Sequence, residues 1–349
     1  MEQLNDLQTM LDRLECPAFL VKDGHICAVN SGAGQRMAEQ GIAVNELLIT
    51  GLDEYNQFTD GSLYVTLSLG GTSYRCVITK LEDHELFCLD TRSAGSELQA
   101  LALAATQLRI PVSELSLELN RLNASDSELI SMMNQSIHKL QRIIGNMSDA
   151  VTFVDAAPQK CTQEICSLFR EVLEKAQALL SHAGINIQLQ LPTEPIFTQA
   201  DGEMLTRAIY NLLSNASKFA VPQKPIEVTL KRTQNTLYLT VCDNGQGVDI
   251  SQRSTMFTRY KRQPGIEDPK YGLGLGMSLI HAAAAAHGGT VLVEHPQGHG
   301  TRITMSLSVE KSKNPVVRTP GLKPDIYGGW DPALIELSDV LPHSLYENK

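Results

Sequence analysis

Along residues 98–151 the apolar positions of this chain keep a strict rhythm. Leu98, Leu101, Ala105, Leu108, Val112, Leu115, Leu119 and Leu122 are separated by alternating steps of three and four, and Ile130, Met133, Ile137, Leu140, Ile144, Met147 and Val151 repeat it. Such a heptad seam predicts two helices, each with one apolar stripe. The turn between them is Asn123-Ala124-Ser125-Asp126-Ser127, with Ser125 and Glu128 spaced as a capping box. The two segments together predict an antiparallel helical hairpin. One hairpin alone leaves much of its stripe uncovered, so two copies are expected to pair as a four-helix bundle in a homodimer.

Upstream the pattern shortens to strand length. Ala18–Lys22 and His25–Val29 flank Asp23-Gly24, a hairpin-turn dipeptide. A short helix is expected around Gln35–Gln40, followed by strands at Leu63–Leu69, Tyr74–Leu81 and Glu85–Asp90. This order of two strands, helix and antiparallel meander resembles a PAS sensor domain. No His or Cys pattern here compels a haem or a flavin. Cys16, Cys27, Cys76 and Cys88 read as small buried hydrophobes.

Downstream of the seams, helices are expected at Thr162–His182, Gly202–Phe219 and Met277–Ala286, with Asp201 capping the second and His287-Gly288-Gly289 ending the third. Strands are expected at Ile185–Leu191, Ile226–Arg232, Leu237–Cys242, Thr290–Glu294 and Thr301–Ser308. The result is a mixed sheet with helices on one face. From residue 311 prolines and glycines oppose regular structure. That tail carries Trp330, Tyr327, Leu334, Ile335 and Leu337, which suit an extended arm that docks, with a disordered tail as the alternative.

Composition narrows the class. The chain has 349 residues, is 42% hydrophobic and 19% charged, and carries a net charge of −10, which argues against general binding to nucleic acid or anionic membrane. Seven cysteines without a Cys-x-x-Cys pair read as reduced thiols rather than a disulfide frame. No apolar run approaches the roughly 20 residues needed to span a bilayer. The polar start, Met1-Glu2-Gln3-Leu4-Asn5-Asp6, is unlike a signal peptide. The expected location is the cytoplasm, and no membrane or nucleic-acid partner is expected.

The chemistry gathers after residue 200. Asn211-Leu212-Leu213-Ser214-Asn215-Ala216-Ser217-Lys218 lies on a helix, Asp243-Asn244-Gly245-Gln246-Gly247 follows a strand, and Gly272-Leu273-Gly274-Leu275-Gly276-Met277 opens another helix. Met256-Phe257-Thr258-Arg259-Tyr260-Lys261-Arg262 and His287-Gly288-Gly289 complete the set. Five segments in this order resemble the ATP-binding domain of sensor histidine kinases, an α/β sandwich of the GHKL ATPase superfamily. The resemblance implies ATP and Mg²⁺ as cofactors. Asn211 and Asn215 share a helix face, where neutral amide oxygens can hold Mg²⁺. Lys218 is placed to meet phosphate charge. By the resemblance Asp243 accepts from the adenine amino group, while Gly245 and Gly247 admit the base closely. Gly272, Gly274 and Gly276 bring free helix amides to phosphate. Residues 260–271 would form a lid, with Arg259 and Arg262 in reach of the γ-phosphate.

The family's first hairpin helix carries a segment like His-Glu-Leu-Arg-Thr-Pro. Here the matching residues are Thr106-Gln107-Leu108-Arg109-Ile110-Pro111. Leu108, Arg109 and Pro111 fit; Thr106 replaces the phosphate-accepting histidine and Gln107 the acid. A threonine hydroxyl is a weak nucleophile without a base, and an amide cannot serve as one. His138, on the second helix, reads as a surface or bundle-edge histidine. His281 and His287 read as helix-packing and capping residues.

The expected protein is therefore multidomain α/β: a PAS-like module over 1–92, a hairpin with a degenerate acceptor over 93–155, an ATP-binding domain over 156–310 and a tail over 311–349. The leading expectation is an atypical sensor histidine kinase impaired in autophosphorylation, signalling through conformation to a response regulator or a kinase partner. One alternative is a kinase acting on a partner in trans. Superfamily serine kinases and ATPases carry a glutamate where Asn211 stands, which weighs against it. The other alternative is a non-enzymatic ATP-binding dimerisation scaffold.

Overall fold

The computed structural model describes residues 8–14, 16–81, 83–90, 104–105, 107–108, 112–115, 119, 127–155, 158–247, 275–296, 300–309 and 330–347. Twelve strands are found among them, β1 Ala18–Lys22, β2 His25–Val29, β3 Ser62–Leu69, β4 Thr72–Lys80, β5 Glu85–Asp90, β6 Cys161–Glu164, β7 Ile187–Gln190, β8 Phe197–Ala200, β9 Ile226–Thr233, β10 Thr236–Cys242, β11 Val291–Glu294 and β12 Arg302–Ser308.

The first hairpin turns where Asp23-Gly24 dictates. Asp23 has φ 50° and Gly24 φ 75°, so both central residues are left-handed, as a tight hairpin matching strand twist requires. Three short helices follow at Ser31–Gly34, Val44–Leu47 and Leu52–Gln57. Residues 35–40, expected to be helical, are turn and irregular instead, and the helix lies wholly before them. Asn30 sets its position, because its side chain accepts from the Ala33 amide at 3.0 Å. Cys76 is buried; Cys16, Cys27 and Cys88 are half-buried. β1–β5 form an antiparallel run in the order β2-β1-β5-β4-β3, with Phe19, Phe87, Ile78 and Leu67 in its core.

β3 does not end that sheet. It pairs antiparallel with β11, Tyr64 opposite Val291 and Ser62 opposite Val293, so ten strands run as β2-β1-β5-β4-β3-β11-β12-β10-β9-β7. The N-terminal module is thereby joined to the following unit by backbone hydrogen bonds. Tyr64 enters the core of that unit and meets His281 edge-on at 6.3 Å. Ser306 Oγ donates to Glu54 across the junction at 2.6 Å. Edge strands left open invite such pairing, and here each module covers the other's edge.

In the second half, β7 runs parallel to β9 and the other neighbours run antiparallel. Val228, Leu230, Leu237, Leu239, Val241, Ile303, Met305 and Leu307 alternate along β9, β10 and β12 and pack into one core. Three helices supply its other side: Ile165–Ser181, Gly202–Phe219 (the asparagine helix) and Gly276–Ala286 (the alanine helix). The helix expected from Thr162 begins at Ile165 instead. Residues Cys161–Glu164 pair with Phe197–Ala200, and the Glu164 carboxylate caps the helix by accepting from Cys166 N at 2.9 Å and Ser167 N at 2.6 Å.

Ser127–Asp155 is one long helix. Its seam splits into two sets. Ile130, Ile137, Ile144 and Met147 are buried with Ala105, Val112 and Leu119 of the first seam, with Leu275 just before the alanine helix and with Leu279 in it. Met133 and Leu140 stay exposed, together with Leu108, Leu115, Leu129, Met132 and Ile143. One heptad position, Ile130, Ile137 and Ile144, thus packs inside the chain, while the other faces outward at Met133 and Leu140 and turns inward at Met147.

Residues 330–347 are folded rather than extended. Pro332–Glu336 is a helix capped by Asp331, whose Oδ1 accepts from Ala333 N at 2.9 Å, and His343–Tyr346 is a turn of 3₁₀ helix. Ala333, Ile335, Leu337, Leu341 and Tyr346 are buried. This segment lies on the long helix: Asn134 donates to Tyr346 O at 2.9 Å, and Gln135 to Ser338 O at 3.1 Å and Leu341 O at 2.6 Å. Tyr327 lies outside the described residues.

Candidate nucleotide site

The asparagine helix begins at Asp201, as its sequence requires. Asp201 Oδ1 accepts from Met204 N at 3.2 Å, and Oδ2 accepts from Gln159 N at 2.8 Å. The backbone N–H of Asp201 donates to His287 Nε2 at 2.9 Å, while His287 Nδ1 lies 2.7 Å from Ala283 O. An acceptor at Nε2 and a carbonyl at Nδ1 fix a neutral Nδ1–H tautomer. His287 therefore ties the end of the alanine helix to the start of the asparagine helix, a role finer than the capping expected of it.

Asn211 and Asn215 stand on the face of the asparagine helix that meets the start of the alanine helix. Asn211 Nδ2 donates to Arg207 O at 3.0 Å, and Asn215 Nδ2 donates to Met277 Sδ at 3.2 Å. Both acceptors demand the amino end of the amide, so both Oδ1 atoms are turned the other way. Neither Oδ1 has a hydrogen-bond partner among the described residues. A pair of neutral, hard oxygen donors one turn apart suits Mg²⁺, which keeps several waters and phosphate oxygens of its own. Among the described residues there is no cluster of three or more His, Cys, Asp or Glu able to hold a metal by itself.

Asp243 follows β10 and is 5% exposed. Its Oδ1 accepts twice, from Gly245 N at 2.8 Å and from Thr301 N at 3.2 Å. Its Oδ2 has no hydrogen-bond partner among the described residues. Burial pushes this carboxyl above the usual aspartate range, against the two amides and nearby His295, which lower it. The surrounding backbone is tight. A side chain on Gly245 would come within 2.6 Å of Phe219 O, one on Gly247 (φ 79°) would strike the His295 ring, and one on Gly300 (φ 96°) would strike the Asp243 carbonyl. Sequence reading singled out Gly245 and Gly247; it missed Gly300, Thr301 and His295, which close the same turn from the far side.

The alanine helix starts at Gly276, whose added Cβ would lie 2.8 Å from Asn211 Oδ1. Its first amides therefore open beside the two asparagines. Lys218, one turn beyond Asn215, is held by Asp339 of the C-terminal segment at 2.8 Å. The structure thus gathers Asn211, Asn215, Lys218 and Gly276 at one junction, with Asp243, Gly245 and Gly247 in the adjoining turn. Gly272, Gly274, Arg259 and Arg262 lie outside the described residues, as do Thr106, Arg109 and Pro111. Gln107 is exposed on its helix. His138 departs from expectation: it is 1% exposed, clasped edge-on by Trp330 at 4.7 Å and Tyr346 at 4.9 Å. The long-range docking of the tail is what buries it.

The chain is similar to known proteins over the same stretch. Residues 200–311 match the family described as "Histidine kinase-, DNA gyrase B-, and HSP90-like ATPase". The chain is 32% identical to the histidine protein kinase DivJ of Caulobacter vibrioides over 144 residues, 40% of this chain and 24% of that one. It is 25% identical to the sensor protein kinase WalK of Staphylococcus saprophyticus over 225 residues, 60% of this chain and 36% of that one. Against the adaptive-response sensory kinase SasA of Synechocystis sp. it is 28% identical over 262 residues, 69% of this chain and 68% of that one. In fold it resembles full-length ShkA in complex with AMPPNP, with a TM-score of 0.50 and 22% identity over 62% of this chain and 47% of that one. The chain spans only 24%, 36% and 62% of the first three curated relatives it matches. Among the described residues no helix is long and apolar enough to cross a membrane. Residues 200–311 thus carry the ATPase unit of that family, and the relatives the chain matches are named as histidine or sensory kinases.

Proposed function

We propose that this protein is a homodimeric, cytoplasmic sensor kinase homologue that binds ATP with Mg²⁺ and does not phosphorylate itself at the usual hairpin position. The observation that carries the nucleotide reading is the carboxylate of Asp243. One oxygen is saturated by two backbone amides and the other is left as an acceptor in a glycine-lined turn, where a purine amino group is the matching donor. Asn211 and Asn215 would hold Mg²⁺ through their Oδ1 atoms, and Gly272, Gly274 and Gly276 would present helix amides to the phosphates. Lys218, Arg259 and Arg262 would neutralise the triphosphate. When bound, the ion would draw charge from the β- and γ-phosphates. The protein's own groups orient the base and fix the phosphate end.

Loss of the acceptor rests on Thr106 and Gln107, which remove the nucleophile and its neighbouring acid together. Output would then be conformational, passed from a PAS-like module over residues 1–92 to a response regulator or a kinase partner. The sheet continuous from β3 to β11 supports such coupling. The exposed half of the heptad seam supports pairing of two hairpins into a four-helix bundle.

Calorimetric titration with ATP–Mg²⁺ tests the site: wild type should bind, and Asn215→Ala should bind at least tenfold more weakly. Incubation with γ-labelled ATP tests the second part. Acid-labile, base-stable label on the wild-type chain would overturn the claim that no phosphohistidine forms. In the double variant Thr106→His, Gln107→Glu, label should appear.

A further inference from the structure

The C-terminal segment reaches three elements at once. Asp339 pairs with Arg142 of the long helix and with Lys218 of the asparagine helix, the latter at 2.8 Å. Glu336 sits between Arg142 at 3.7 Å and Arg207 at 3.6 Å, and Arg207 in turn meets Asp149 at 2.5 Å. Asp331 pairs with Lys175 of the preceding helix at 2.8 Å. The side chains of Arg142, Arg207 and Lys218 are at most 9% exposed, so these charges are screened little by solvent. Apolar contacts seat the same segment on the hairpin, through Trp330 and Tyr346 around His138.

We propose that residues 330–347 form an intramolecular latch. Asp339 holds Lys218 away from nucleotide phosphate and pins the nucleotide-binding unit to the long helix, so that latch docking and ATP–Mg²⁺ loading oppose each other. This rests on the reading of Lys218 as a phosphate ligand. One ammonium group cannot serve a carboxylate on the tail and a triphosphate in the site with full effect at both. Burial alone would raise the Asp339 carboxyl, yet Arg142 and Lys218 outweigh it and hold it below the usual aspartate range. The carboxylate is thus charged and engaged while the tail is docked. A triphosphate carries several negative charges against its one, and can compete. Linkage makes the effect reciprocal: whatever ATP does to docking, docking does to ATP affinity.

Trp330 is the chain's one tryptophan and lies in the latch, so its emission reports docking directly. The experiment uses the full chain, as wild type and as Asp339→Asn, and reads Trp330 emission and quenching beside calorimetric ATP–Mg²⁺ affinity. In wild type, saturating ATP–Mg²⁺ should shift Trp330 to the red and expose it to a soluble quencher. Asp339→Asn should expose Trp330 without nucleotide and raise ATP–Mg²⁺ affinity about tenfold, within the usual range of allosteric coupling. Gln135→Ala removes two hydrogen bonds to the tail without touching a charge, and should move both readouts the same way if Asp339→Asn fails to fold. Exposure of Trp330 with unchanged affinity, or changed affinity with Trp330 in place, overturns the latch and leaves the nucleotide reading standing. Absence of ATP–Mg²⁺ binding in every variant overturns both.

Discussion

Gly276 faces Asn211 so closely that a Cβ at the glycine would lie 2.8 Å from Asn211 Oδ1. The first residue of one helix is thus fitted to the side chain of another. Asn211 cannot simply swing aside, because its Nδ2 is spent on Arg207 O at 3.0 Å. Gly276→Ala should displace Asn211 Oδ1 while leaving the helices in place. ATP–Mg²⁺ affinity is expected to fall about tenfold, equivalent to about 1.4 kcal/mol. Calorimetry at fixed Mg²⁺ measures it. Unchanged affinity would show that Asn211 is not a ligand of the ion.

Asp243 should choose the base. Its Oδ2 accepts from an amino group and repels a carbonyl, so ATP should bind over GTP by about 10²-fold or more, the scale set by an unpaired buried polar group. In Asp243→Asn the oxygen can keep both backbone amides, but an NH₂ then faces the base. ATP affinity should fall about 10²-fold with little change in Tm, since the supporting hydrogen bonds persist. The raised carboxyl also gives a pH signature. Its protonation removes the acceptor, so ATP affinity should fall as pH drops through a value above the usual aspartate range. For folding the sign is opposite: the neutral acid is the favoured buried form, and its contribution is lost as pH rises through the folded value. Competitive titration of ATP and GTP across pH checks both.

How much of this was legible beforehand depended on how local the cause was. Asp23-Gly24 takes left-handed φ where the first hairpin turns, because the turn chemistry lies in those residues themselves. The asparagine helix runs over Gly202–Phe219, as its cap and periodicity prescribe. The stretch after Cys161 misled, since Thr162 and Gln163 fit a helical pattern but are recruited as a strand by distant Phe197–Ala200. His138 misled for the same reason: only a segment some two hundred residues later covers it. The glycine turns announced a nucleotide site, whereas Gly300 and Thr301 complete the Asp243 turn by a long-range approach that no spacing reveals.

Gly300 makes that approach testable. Its φ is 96°, and any side chain would press on the Asp243 carbonyl. Gly300→Ala combines a left-handed backbone with a backbone clash, at a cost of about 3 kcal/mol. At about 2–4 °C per kcal/mol for a unit of this size, the melting transition should drop by about 6–12 °C. Differential scanning calorimetry against wild type measures it. Gly71→Ala is the control: it has φ 78° but no atom within 4 Å of the added Cβ, so its cost is backbone strain alone and smaller.

The exposed half of the heptad seam predicts a dimer that can be broken without unfolding the chain. Leu140 is 43% exposed, beside Met133 and Ile143. Burying a leucine is worth about 1.5–3 kcal/mol, and a symmetric interface counts it twice. Leu140→Glu should therefore weaken association by about two to four decades in Kd, while Ile137→Glu, at a buried position, should cost folding itself. Light scattering over a dilution series distinguishes them. A monomeric wild type at micromolar concentration would refute the bundle.

His138 should make tail docking sensitive to acid. Burial lowers its pKa, with the Asn134 carbonyl opposing, and its Nε2, between the rings of Trp330 and Tyr346, has no hydrogen-bond partner among the described residues. The undocked chain then binds more protons than the docked one, so docking weakens as pH falls below about 6.5, the ordinary imidazole value. The charged neighbours run differently. Asp339, held below the usual aspartate range, stays ionised through this window. His343 lies 3.6 Å from Glu128. Trp330 emission should therefore shift to the red between pH 7 and pH 5, and His138→Phe should flatten that dependence while keeping the rings packed. A shift that persists in His138→Phe would assign the proton to another group.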